Sequence, residues 1–177
     1  MNALDDELEL ATLWLLDGLL HDPSVRAVID PMALRVEANL NDTPTVPLAW
    51  EPVPVAAYTD KLPGFIRSSW VFVLRGNSAS GAERHPNSHQ RVMSYRGVGD
   101  LQIRVGDEWK SHVLTDGQHA PLLARWASIP PNTWHQAVVT GSHWVVVSFH
   151  MVPDRELIEE RPESTDAELT RQRRYLE

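Results

Sequence analysis

From Phe65 to Val152 the chain is a succession of short apolar runs broken by glycine, asparagine and proline, and this restricts the fold more than anything else in the sequence. Trp70-Val-Phe-Val-Leu74 reads as a strand, and Gly76-Asn-Ser-Ala-Ser-Gly81 as a turn cluster. Residues 82–86 and Gln90 to Tyr95 form the next two strands, and Gly97-Val-Gly99-Asp100 turns into Leu101 to Val105. Gly106-Asp107 is a two-residue hairpin signal, with Glu108-Trp109-Lys110 starting the return. Leu122 to Ile129 is a further strand, and Gln136 to Thr140, a Gly141-Ser142 turn and His143 to Val152 make a closing hairpin. Short strands at such even spacing belong to a β-sandwich or β-barrel.

The flanks differ. Residues 5–20 carry Leu8, Ala11, Leu15 and Leu19 at helical spacing, ended by His21-Asp22-Pro23. Residues 24–60 read as short extended runs between prolines, with Ala33 to Leu40 as an outer strand. Thr165-Asp-Ala-Glu168 is a capping box and predicts a short helix from about residue 166 to the end. The expected organisation is one structural domain in three parts: an N-terminal helix and extended segment over 1–64, a barrel over 65–152 and a helical tail over 153–177.

The chemistry-bearing residues concentrate at 83–90 and again at 135. Glu83, His85, His89 and Gln90 fall within eight residues, and Ile129-Pro-Pro-Asn-Thr-Trp-His135 lies on a separate strand. Side chains two apart on a strand share a face, so Glu83 accompanies His85 into the interior. Gln90 opens the next strand and returns beside them. His89 is one residue out of that phase and points the other way, unless a tighter loop makes it the ligand in place of Gln90. Imidazole and carboxylate together suit iron, manganese, nickel, zinc or copper, and two histidines with one carboxylate match the facial arrangement of non-heme Fe(II) oxygenases. Trp134, Tyr95 and Arg125 are the candidate pocket residues, Trp134 as a wall and Arg125 either as a site for an anionic substrate or as an outside ion pair. His150 reads as a strand histidine outside the site.

With Gly97 as its final glycine, this stretch resembles the first motif of the cupin superfamily: two histidines flanking one residue, four residues, a glutamate, six residues, a glycine. Glu83, His85 and Gln90 occupy the three ligand positions, so one histidine has become glutamate and the glutamate has become glutamine. Pro130, Asn132 and His135 fit the second motif, proline, any residue, glycine, two residues, histidine, with asparagine for the glycine. Asparagine tolerates the positive-φ turn required there. The resemblance covers roughly residues 65–152. It implies a mainly β fold, a single double-stranded β-helix (jelly-roll) barrel with an N-terminal helix and a short C-terminal helix. It also implies a divalent transition metal (iron, or zinc, nickel or manganese) on His85, His135 and Glu83 or Gln90, and a homodimer.

Composition excludes several alternatives. The 177 residues contain no cysteine, which removes disulfides, thiolate metal sites and a cysteine nucleophile. The net charge is −8 and there is no basic tract, against nucleic-acid or anionic-membrane partners. The first apolar stretch follows Asp5, Asp6 and Glu7 and contains Asp17, unlike a secretory signal or a membrane span, so a cytoplasmic protein is expected. The resemblance implies one of three functions, each on a small-molecule substrate or ligand: a dioxygenase-type oxidoreductase, a metal-dependent isomerase or lyase with Glu83 as general base, and a non-catalytic ligand-binding barrel.

Overall fold

The structure, a computed structural model, describes residues 3–117, 119–163 and 170–174. Two helices come first, α1 (Ala3–His21) and α2 (Pro23–Asp42). The strands follow: β1 (Leu48–Val53), β2 (Ser68–Leu74), β3 (Ser78–Ala79), β4 (Gln90–Arg96), β5 (Val98–Val105) and β6 (Glu108–Thr115). A helical turn α3 (Leu122–Arg125) runs into β7 (Trp126–Ile129), then come β8 (His135–Val139), β9 (Trp144–His150), β10 (Ile158–Pro162) and β11 (Thr170–Arg174). A five-stranded sheet in the order β1-β2-β9-β4-β7 faces a four-stranded sheet β3-β8-β5-β6, and β10-β11 form a separate two-stranded ribbon. The two facing antiparallel sheets form the expected jelly-roll barrel. Among the described residues no helix is long and apolar enough to cross a membrane.

The five-stranded sheet is buried on both faces. Trp70, Phe72 and Leu74 of β2 join Trp144 and Val146 of β9 inside the barrel. Val71, Val73, Val145, Val147 and Phe149 project the other way, against α1 and α2. Alternation along a strand therefore sorts side chains between two cores rather than between core and water.

Several local expectations are corrected. Residues 33–40 are not an outer strand but the end of α2, whose Val25, Ile29, Met32, Val36 and Leu40 bury one helical face. The Asp22-Pro23 pair that stops α1 also starts α2: the Asp22 carboxylate accepts from the Ser24 amide at 2.9 Å, and Pro23 sits where a missing N–H costs nothing. α1 forms as expected, but it buries Leu13, Leu16, Leu19 and Leu20 and leaves Leu8 and Leu15 exposed. Residues 82–86 make no continuous strand, because Glu83 pairs with His135 while its neighbour Arg84 pairs with Glu160. Residues 122–125 form a helical turn before the strand at 126–129. β8 and β9 are no hairpin, since β8 pairs with β3 and β5 whereas β9 pairs with β2 and β4. The physical reason lies in β9, which is buried at every position and so requires the centre of a sheet covered on both sides. The expected C-terminal helix is also replaced. Residues 170–174 form β11, paired with β10 with Glu159 opposite Arg173; the capping box at 165–168 lies outside the described residues.

The N-terminal helix is attached by a buried ion pair as well as by packing. Asp17 accepts from Arg125 Nη2 at 2.9 Å and from Trp126 Nε1 at 2.8 Å. Replacing Asp17 with alanine strands a guanidinium that is only 5% exposed. The expected loss is about 3–5 kcal/mol of unfolding free energy in urea titrations. Arg35→Ala, which removes the exposed pair with Glu51, is expected to cost less than about 1 kcal/mol.

Candidate metal centre

The sheet register sets which side chains reach the barrel interior. On β4, Gln90, Val92 and Ser94 point inward, while Arg91, Met93 and Tyr95 point to the helices. Gln90 lies directly across from His150 of β9. The interior therefore carries a polar end, at the start of β4 and the end of β9, within an otherwise apolar barrel.

Glu83 and His85 reach that end from the irregular segment before β4. The Glu83 amide donates to the His135 carbonyl at 2.9 Å and the His135 amide to the Glu83 carbonyl at 2.8 Å. The Asn132 amide donates to the His85 carbonyl at 2.9 Å, and Asn132 takes the positive-φ conformation (φ 62°) that the asparagine-for-glycine exchange requires. This turn delivers His135 onto the first residue of β8, facing Glu83 and His85. Gly97 also has a positive φ of 93°, and a Cβ there would come within 3.1 Å of the His143 carbonyl.

The two imidazoles are held in one tautomer. His85 Nδ1 lies 3.0 Å from the Ile158 carbonyl, and His135 Nδ1 lies 3.0 Å from the Thr133 carbonyl. A carbonyl only accepts, so each neutral ring carries its proton on Nδ1 and presents the Nε2 lone pair. One donor atom from each of Glu83, His85 and His135 falls within 4.8 Å of the others. Three donors on one ion lie about 3–3.5 Å apart, so holding an ion would draw the set together by up to about an ångström or more. His135 Nε2 and Gln90 Oε1 are buried and have no hydrogen-bond partner among the described residues, with Glu83 Oε1 3.6 Å from His135 Nε2. The donor set fits a divalent transition metal: two oriented imidazole lone pairs, one carboxylate and one unused amide oxygen. Glu83, Gln90 and His135 also line a cavity of ≈ 40 Å³ whose remaining walls include Phe72, Leu101 and Trp144.

The other candidates lie elsewhere. His89 faces α1, with its Nε2 2.6 Å from Ser128 Oγ and 3.9 Å from Glu9, as its strand phase dictates. Tyr95 lies on the same helix-facing side and donates to Asp30 of α2 at 2.6 Å. Arg125 is taken up by Asp17. Trp134, next to the inward His135, turns outward and stacks under the Arg84 guanidinium at 4.6 Å. Tyr95, Arg125 and Trp134 are therefore not pocket residues of the barrel interior.

Two residues were missed. His150 is fully buried, edge-on to the His85 ring with centroids 5.0 Å apart, so it belongs to the site's surroundings rather than outside them. Its even spacing from Trp144 and Val146 along β9 was the available signal. Arg161 of β10 donates from Nη2 to Glu83 Oε2 at 2.5 Å and from Nε to the buried Glu159 at 2.6 Å. No local signal announced that contact.

Burial raises the Glu83 carboxyl, but the His135 ring in its protonated form and the permanent cation of Arg161 outweigh it and hold the group at about 2. Burial, then the neighbouring imidazole of His135, lowers His85; burial, then His85 and His135, lowers His150 well below the ordinary 6.5. Below about pH 6.5 the unfolded chain takes up protons that these folded rings refuse, so stability falls with pH. Chelator-treated protein should lose up to about 1.4 kcal/mol per pH unit per such ring between about pH 6 and 5. His150→Gln should flatten that slope by one ring's share in urea titrations at each pH. The stability from Glu83 is fully present above its unfolded value near 4.5 and is lost only as pH falls below it, outside this window.

No protein-family model matches the chain, and no curated protein matches it. Solved structures do. Pumpkin seed globulin is 14% identical, with 66% of this chain and 28% of the globulin covered at a TM-score of 0.50. Oxalate oxidase in complex with the substrate analogue glycolate is 19% identical, with 59% and 51% covered at 0.45. The Lactobacillus farciminis oxalate decarboxylase formate complex is 10% identical, with 60% and 29% covered at 0.46. This chain spans about half the oxalate oxidase and under a third of the other two. All three have the cupin fold, and at these identities the likeness is one of architecture. With its two facing antiparallel sheets and the globulin's similarity, the chain has the jelly-roll fold of the cupin superfamily.

Proposed function

We propose that the chain is a metal-dependent enzyme acting on a small molecule, with non-heme iron dioxygenase-type oxidation as its chemistry. One observation carries the reading: His85 and His135 each have Nδ1 on a backbone carbonyl, which leaves Nε2 as the free donor on each ring, and both rings stand with the Glu83 carboxylate in one cluster. Ligating histidines are characteristically oriented in this way by their second nitrogen. His85, His135 and Glu83 would hold the ion, with Gln90 Oε1 as a neutral fourth donor. When bound, such an ion supplies Lewis-acid polarisation of a substrate oxygen and, as iron, redox chemistry with dioxygen.

The protein's own residues divide the remaining work. Ile158 and Thr133 fix the imidazoles through their carbonyls. Arg161 keeps Glu83 ionised and aimed. The apolar walls around the small cavity limit water beside the donors. Glu83 as general base of an isomerase or lyase is less favoured, because a carboxylate held at about 2 and tied to Arg161 is a weak proton acceptor at neutral pH.

Elemental analysis after loading should find about one divalent ion per chain. His85→Ala and His135→Ala should each weaken the site by more than the ~10–100-fold typical of outer-shell changes. His89→Ala should leave binding intact, because its ring faces α1. Gln90→Glu should tighten binding by adding a charge where the amide now stands. A chain that takes up no transition metal even when supplemented would sink the reading. With iron loaded, oxygen uptake during a screen of small acids and alcohols tests the oxidative chemistry, and metal-dependent turnover without oxygen uptake would replace it with isomerase or lyase chemistry.

A further inference from the structure

Outside the barrel, the inner face of the β10–β11 ribbon lines a second cavity of ≈ 200 Å³, bounded by Glu159, Arg161, Arg171 and Arg173. These four share one face because they are paired across the ribbon, Glu159 opposite Arg173 and Arg161 opposite Arg171. The first pair is an ion pair, with Arg173 Nε donating to Glu159 at 2.7 Å. The second sets two arginines opposite each other, an unfavourable like-charge pair that the ion pairs of Arg161 with Glu83 and Glu159 offset on one side only. Glu159 is fully buried; its Oε1 accepts from both Arg161 and Arg173, its Oε2 has no hydrogen-bond partner among the described residues, and it makes no ion pair with Arg171. Among the described residues the Arg171 side chain has no hydrogen bond or ion pair, and it stands exposed at the cavity rim. In a chain of net charge −8, the described residues that line this cavity are three arginines and one glutamate.

We infer that the ribbon cavity is an anion subsite that holds the carboxylate of a small acid between Arg171 and Arg161. Planar guanidinium forks match the two oxygens of a carboxylate, and Glu159 holds Arg161 and Arg173 in place for that match. Arg161 lines this cavity and Glu83 lines the barrel cavity, and the two side chains touch, so a single ion pair separates the spaces. The barrel cavity of ≈ 40 Å³ admits only a few atoms, whereas the ribbon cavity of ≈ 200 Å³ accommodates the body of a small acid. Charge points the same way. Glu83 is matched by Arg161, so a divalent ion in the barrel would be left without a compensating anion, and an acidic ligand supplies one. The subsite stands on the ribbon alone; the assignment of the substrate as a carboxylic acid rests on the metal-dependent reading above.

The test uses the full-length, chelator-treated chain and isothermal titration calorimetry with acetate, malonate and phosphate, and acetamide as the neutral control. Malonate should bind saturably and more weakly as salt is raised, while acetamide should not bind. Arg171→Ala should reduce malonate affinity at least tenfold with an unchanged melting temperature, and Arg171→Lys should recover part of the loss. The same Arg171→Ala protein should take up metal as the parent does. In cobalt(II)-loaded protein malonate should shift the visible spectrum, and Arg171→Ala should abolish the shift. No saturable anion binding, or binding unaffected by Arg171→Ala, would overturn the subsite. Binding without a spectral shift would overturn the substrate assignment. Malonate binding that depends on Arg171 in a chain unable to hold any metal would support the subsite and remove the metal reading alone.

Discussion

The five-stranded sheet has no solvent face, and the position of every functional side chain follows from that. With helices on one side and the barrel interior on the other, each apolar residue of β2, β4 and β9 belongs to one of two cores. A side chain cannot change core without a one-residue slip, and a slip would exchange whole strands of apolar residues between two differently shaped spaces. Each fully buried valine or phenylalanine contributes about 1.5–3 kcal/mol, so the register is fixed by many residues at once. Gln90 and His150 face the interior for the same reason that His89, Arg91 and Tyr95 face the helices.

Two-sided burial also explains what was legible in the sequence. The motif positions of Glu83, His85, Gln90 and His135 could be placed because alternation is local, and the same phase placed His89 outside. Asn132 could be matched to a positive-φ turn because its backbone requirement is a property of that residue. The strands themselves were visible as apolar runs, but a run apolar at every position does not say which neighbour covers which face. His150 was accordingly put outside the site, and β8 and β9 were joined as a hairpin although they lie in opposite sheets. α2 was lost for a different reason. Pro31 interrupts it, and the stretch after that proline alternates just enough to imitate a strand; the helical spacing shows only when Val25 and Ile29 are read with Val36 and Leu40.

The C-terminal ribbon lay beyond local reading altogether. Arg161 meets Glu83 across 78 positions of sequence, and β11 is a run of polar and charged residues whose strand character comes from pairing with β10 rather than from its own preference. The pairing is electrostatic as much as hydrogen-bonded, with Glu159 facing Arg173 and Glu160 accepting from Gln172. The ribbon also supplies the Ile158 carbonyl that fixes His85. A segment that resembles a polar tail in the sequence thus orients one candidate ligand and anchors another.

The exchange of residues within the motif takes its physical meaning from that ribbon. In the pattern this chain resembles, the carboxylate starts the strand that Gln90 starts here, deep between the sheets. Here the carboxylate is Glu83, on the segment that meets the ribbon, where a guanidinium can reach it. An amide at Gln90 needs no counter-charge in an interior walled by Phe72, Leu101 and Trp144, whereas a second carboxylate without a metal would be costly there. Moving the charge to the rim therefore stabilises the metal-free barrel and leaves the centre short of negative charge once an ion is bound. In the inferred anion subsite, the arginines of the ribbon stand on the side from which a compensating anion would come.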